Sequence, residues 1–248
     1  MTTTMDRTAS AGHSAKSPLI EKLNVFTAFG LGIILAVVFY VLAAKLIPED
    51  TDAMLIHTKH DQIILLAMIG WFIGFMVGIG ALIGPFRWLL GKDLSHDENM
   101  FYAGKDLGTK RYFRYTTDHK VVGIQYLVTT MIIFGVGGIL AMLIRTNLGN
   151  PEGGWIHPQA YNAIVGIHGI IMIVGTIIMI TGPFGNFVMP IMIGARDMAF
   201  PRLNALSFWL IVAAIPPILS SFFLGGIMTG WTAYEPLASE SPAGMDGY

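Results

Sequence analysis

Residues 161–180 read YNAIVGIHGIIMIVGTIIMI, a run without one Asp, Glu, Lys or Arg. As a helix, at 1.5 Å per residue, it covers about 30 Å, the thickness of a bilayer's hydrocarbon core. The rest of the chain points the same way. Of its 248 residues 54% are hydrophobic and 12% charged, against about 25% charged in a soluble domain. The mean hydropathy is +0.62. A bilayer is the solvent this sequence suits, and the fold class it predicts is an all-α integral membrane protein.

Four more uncharged stretches reach the length of a span: 23–44, 62–86, 121–144 and 203–234. The run that holds 161–180 continues from 158 to 195, too long for one crossing. GPFGNFVMP at 182–190 sets two glycines and two prolines near its end, so the helix is expected to end near Thr181 or shortly after. That makes about five transmembrane helices, part of a larger bundle. With the N-terminus cytoplasmic, the inner segments 1–22, 87–120 and 196–202 hold 12 of the 15 Lys and Arg residues, while the acidic residues split evenly. This is the positive-inside pattern. Residues 1–22 lack the features of a secretory signal and read as a cytoplasmic tail. Residues 23–90 then carry two transmembrane helices, 91–120 form a cytoplasmic loop, and 121–248 carry three more helices. Gly70, Gly74 and Gly78 form a small-residue stripe on which another helix can approach backbone to backbone.

A net charge of -1 and the lack of a long basic run set nucleic acid aside as a partner. With no cysteine, any metal must be held by histidine, methionine or oxygen. Attention therefore falls on His168, set into an apolar span where an unpaired imidazole is costly. Three readings stand open for it: an interhelical hydrogen bond, a metal or haem ligand, and a proton relay. Neutral imidazole is this chain's best iron ligand, and one histidine fills only one of two axial positions. Arg145 closes the third span on the side where the fourth begins, so it either snorkels to the headgroups or donates to a group bound near His168. Asp197 lies between Arg196 and Arg202, where a solvated ion pair is the plain reading. Asn186, Asn204 and Ser207 cluster around it in sequence, and such amides and hydroxyls can hold a file of waters.

Five segments in order, TTDHKVVGIQY (116–126), LIRTNLGNP (143–151), YNAIVGIHG (161–169), GPFGNFVMPIMIGARDMAFPRLNALSFW (182–209) and TGWTAYEPLA (229–238), resemble subunit I of the haem-copper oxidases. The resemblance is to cytochrome c oxidase and its quinol-oxidising relatives, and it covers roughly the second half of the chain. It implies that His168 is an axial ligand of the low-spin haem iron, of the haem a type. Arg145 then looks like the donor to that haem's formyl group, and Trp231 like a residue near its propionates. Asp197 matches the acid at the mouth of the family's D-type proton channel, lined by Asn186, Asn204 and Ser207. Asn147 stands where a glutamate often helps hold a structural cation. The two spans within 23–86 precede the point where the family begins.

The implied function is part of the catalytic subunit of a terminal oxidase that reduces dioxygen to water and moves protons across a bacterial plasma membrane. No catalytic residue of that reaction falls in this segment. The copper ligands, the high-spin haem ligand and the second low-spin haem ligand belong to later helices, supplied by the remainder of subunit I or by a split partner chain. The other implied partners are a copper-binding subunit II, subunit III, the lipid membrane, and cytochrome c or quinol as electron donor. The rival reading is a proton-coupled transporter or assembly subunit without haem; within the superfamily, quinol or nitric oxide is the rival substrate.

Overall fold

The computed structural model describes residues 18–48, 59–104, 108–151, 154–224, 226–227 and 229–234. Most of the predicted tail, the acidic stretch 235–248 and Glu152 lie outside them. Helix is the regular structure of the described residues, and five helices are long and apolar enough to cross a membrane. The protein is an all-α integral membrane protein.

Helix α1 (Val25–Leu46) starts at a reciprocal cap. The Asn24 side chain accepts from the amides of Phe26 and Thr27 at 2.8 and 3.2 Å, and Thr27 Oγ1 accepts from the Asn24 amide at 2.9 Å. Helix α2 (Lys59–Ile79) returns beside it, and the glycine stripe lies at their contact. A Cβ on Gly70 would stand 2.9 Å from the Phe39 ring, and one on Gly74 would stand 2.9 Å from Gly32 Cα. Only hydrogen atoms at these positions let the backbones meet. The stretch 62–86 does not stay helical throughout. Gly80, at φ +86°, turns the chain in the left-handed region before α3 (Ile83–Leu89). A short α4 (His96–Ala103) and a 3₁₀ turn at Gly108–Phe113 then lead to the second half.

There α5 (His119–Leu148) and α6 (Pro158–Pro183) pack as an antiparallel pair, and α7 (Pro201–Ser221) packs against α5 and α2. The α geometry of α6 gives out at Pro183, as the breakers predict, but the chain does not leave the axis. A π-helical turn, Phe184–Val188, carries it on to one further turn ending at Met192. The wider turn absorbs the proline rings that cannot donate in an α ladder. The apolar run 203–234 is likewise not all helix. It tightens into a 3₁₀ turn at Phe222–Leu224, and Gly226, at φ +81°, folds the chain back onto α6.

The buried core joins the two halves. Phe75 and Ile79 of α2 and Ala28 of α1 form one cluster with Val122 and Tyr126 of α5 and Phe208, Trp209 and Ala213 of α7. The rings of Phe75 and Trp209 sit 6.3 Å apart, and Trp71 Nε1 donates to the Ala213 carbonyl at 2.9 Å. That carbonyl has no helical donor, because Pro217 lies four residues on and lacks an N–H. The N-terminal hairpin thus supplies a hydrogen bond that α7 cannot make for itself.

Candidate functional site

The predicted residues fall into two groups at opposite ends of α5 and α6. At the Arg145 end, His168 projects from the third turn of α6 toward α5, and its Nδ1 lies 2.9 Å from the Gly137 carbonyl oxygen. A carbonyl only accepts, so Nδ1 carries the proton, and in the neutral ring Nε2 is then the nitrogen with the lone pair. Among the described residues no hydrogen bond occupies Nε2. An imidazole fixed through Nδ1–H to a backbone carbonyl is the arrangement that orients metal-binding histidines. Gly135 and Gly138 of α5, either side of Gly137 in sequence, have no atom within 4 Å of where a Cβ would stand. Trp231 lies against Gly169, its Cβ 3.3 Å from that residue's Cβ position, beside the turn of α6 that carries His168. Arg145 follows Gly137 by two turns, about 12 Å along α5. Its side chain is exposed and makes no ion pair among the described residues. An imidazole oriented through Nδ1, with its second nitrogen unengaged among the described residues, is a donor that fits a haem iron.

Asn147 takes a different part from a cation ligand. Its Oδ1 accepts from the Ile156 amide at 2.9 Å, so it ties down the loop between α5 and α6 directly.

At the other end, Asn186 is buried within the π-helical turn, where its Nδ2 donates to the Gly182 carbonyl at 2.7 Å. Its own carbonyl faces Pro190, four residues on, and so lacks a helical donor; His119 Nδ1 fills the place at 2.7 Å. Ser207 Oγ lies 2.9 Å from the Tyr126 hydroxyl and 2.7 Å from the Asn204 carbonyl. Asn186 Oδ1 and Asn204 Nδ2 are buried with no hydrogen-bond partner. One accepts and one donates, which is the complement a bridging water requires. Asp197 stands exposed outside this group and accepts from the Met198 amide at 2.8 Å. The expected ion pair with Arg196 or Arg202 does not form, and no hydrogen bond links Asp197 to Asn186, Asn204 or Ser207. Between the two ends, α5, α6 and α7 enclose an apolar cavity of about 110 Å³ whose only polar side chains are Thr129 and Thr130.

Sequence reasoning passed over two residues here, His119 and Tyr126. The signal for both was present in TTDHKVVGIQY, where a buried imidazole and a phenol fall on one face of a helix start. Their partners lie more than sixty residues away.

Fold and site together define a helical membrane protein with an oriented imidazole at one end and a partly buried polar group at the other. Residues 121–247 match the family model described as cytochrome c and quinol oxidase polypeptide I, and the chain belongs to that family. It is 50% identical over 129 residues to cytochrome c oxidase subunit 1 of Thermostichus vulcanus, covering 52% of this chain and 23% of that one. Against the same subunit of Synechocystis it is 46% identical over 127 residues, covering 51% and 23%. A probable quinol oxidase subunit 1 of Staphylococcus aureus is 43% identical over 130 residues, covering 52% and 20%. The matched part is thus about a quarter or a fifth of the length of these relatives.

Proposed function

We propose that the chain is part of the catalytic subunit of a terminal respiratory oxidase of the cytochrome c oxidase type, in which electrons reduce dioxygen to water and protons cross the membrane. His168, with Nδ1 held on the Gly137 carbonyl and Nε2 without a hydrogen bond among the described residues, carries the proposal. His168 would hold the low-spin haem from one side, with Trp231 and Arg145 toward its edge, and the second ligand would come from another segment. The haem supplies electron transfer when bound. The protein's part is to fix the imidazole: the Gly137 carbonyl sets its tautomer and holds the ring so that Nε2 faces away from α5. That bond orients the half-buried ring as metal-binding histidines are oriented.

At the opposite end, Asp197 takes protons from the aqueous side and the cluster of Asn186, Asn204, Tyr126 and Ser207 passes them inward through water. The unpartnered Asn186 Oδ1 and Asn204 Nδ2 support this reading, since buried polar atoms of this kind can be satisfied by water. The Lys and Arg count supports a cytoplasmic location for that end. Haem near the outside and proton uptake on the inside let one reaction separate charge, worth about 2.3 kcal/mol per charge per 100 mV.

The test is a reduced-minus-oxidised spectrum of the purified complex. His168→Ala is expected to abolish the low-spin haem band in an assembled complex. An unchanged spectrum overturns the ligand assignment, and the absence of any haem band in the parent complex favours a haem-free transporter. Turnover with reduced cytochrome c against a quinol then assigns the donor.

A further inference from the structure

The match to the family model begins at residue 121, yet the part before it packs on the elements that carry the proposed proton entrance. Tyr115, 2% exposed, donates its hydroxyl proton to the Arg202 carbonyl in the first turn of α7. The Arg202 guanidinium sits over the Tyr102 ring, 5.6 Å from its centroid. Tyr102 and Tyr115 meet edge to face at 5.4 Å. Tyr102 is itself pinned, because its hydroxyl donates to the Gly80 carbonyl at 3.1 Å and accepts from the Gly84 amide at 2.9 Å. The segment that carries Tyr115 is tied on by Thr116 Oγ1 and the Thr117 amide, both donating to the Tyr102 carbonyl. It also receives Gln125 Nε2, which donates to the carbonyls of Tyr112 and Arg114 at 3.0 and 3.2 Å.

Gln125 immediately precedes Tyr126, and Arg202 stands one helical turn and a half before Ser207. One segment therefore holds the helix turns that carry both members of the Tyr126–Ser207 pair. We propose that residues 80–104 and 108–117 are a positioning brace for proton uptake, with Tyr115 and Tyr102 setting the register of α7 against α5 at the entrance. This rests on the proton-entrance reading of Asp197, Asn186, Asn204 and Ser207. Burial pushes both phenols up from the ordinary tyrosine value, so they keep the protons with which they donate. The charged groups facing them are Arg202 and, toward Tyr102, Glu98.

The experiment compares three variants of the whole complex by proton-uptake rate and by the pH dependence of turnover. Tyr115→Phe keeps the ring and deletes the donor to Arg202. Uptake is expected to slow about three- to tenfold, the size of one lost hydrogen bond, and the alkaline fall in turnover is expected to move to lower pH, with the haem spectrum unchanged. Trp71→Phe is the control, since it weakens the same hairpin at Ala213, about 16 Å along α7 from Arg202; its pH profile is expected to match the parent. Asp197→Asn reports on the underlying reading. If it slows uptake while Tyr115→Phe superimposes on the parent, the brace is overturned and the entrance stands. If Asp197→Asn takes up protons normally, both fall. Should Tyr115→Phe not assemble, Tyr102→Phe, which keeps the ring under Arg202, carries the same prediction.

Discussion

Trp71→Phe combined with Pro217→Ala isolates the bond that joins the N-terminal hairpin to α7. Trp71 is 9% exposed, and its Nε1 gives the Ala213 carbonyl the hydrogen bond that Pro217 withholds. Phenylalanine at 71 keeps an aromatic ring near Phe29 and Phe75, whose centroids lie 5.8 Å from the indole, but leaves that carbonyl bare. A buried carbonyl left unpaired costs about 1–3 kcal/mol, and interhelical bonds in bilayers measure about 0.6 to 1.7 kcal/mol. With about 1 kcal/mol more for the smaller ring, Trp71→Phe is expected to cost about 2 kcal/mol. Pro217→Ala restores an amide four residues from Ala213, so the carbonyl gains a helical donor and no longer depends on Trp71. In that background the cost of Trp71→Phe should fall by about 1 kcal/mol to the packing loss alone. Equilibrium unfolding of the four proteins in mixed micelles measures the coupling. Additivity within about 0.3 kcal/mol would show that the indole bond and the proline do not act on one carbonyl.

Two further outcomes follow from contacts outside the haem region. Gly74→Val would push a side chain into Gly32 Cα and cost about 1–3 kcal/mol by forcing α1 and α2 apart; Gly30→Val, which meets nothing within 4 Å, should be near neutral in the same thermal assay. Glu98 is also readable by pH. Burial raises its carboxyl, but the Ser95 amide and the Arg87 guanidinium at 2.9 Å outweigh that and hold it below the usual 4.5. A depressed folded value means the stabilisation is present above the unfolded value and is lost as pH falls through the folded one. Acid unfolding should therefore lose part of its steepness in Glu98→Gln, measured between about pH 6 and pH 3.

The spans were legible because length and apolarity are local properties, and a bilayer demands little else of a helix. His168 was legible for the same reason: in an uncharged run one imidazole stands out. The π-helical turn was not. Gly and Pro at 182–190 announce that an α ladder cannot continue, but whether the chain turns away or widens depends on a donor for the Asn186 carbonyl. That donor, His119, lies 67 residues earlier. Tyr126 was hidden in the same way, since its phenol gains meaning only against Ser207, 81 residues later. The missing ion pair at Asp197 has a local cause: its carboxylate turns to the Met198 amide, and Arg202 is drawn to the Tyr102 ring. Adjacent charges in sequence did not become adjacent in space.

His119 and Trp71 solve one physical problem at two depths. Each brings a ring N–H from another helix to a carbonyl that a proline four residues on has left without a donor. In a bilayer such a carbonyl has no water to turn to, so the donor must be protein. Trp71 thereby fixes α2 to α7, and His119 fixes the start of α5 to the turn that ends α6.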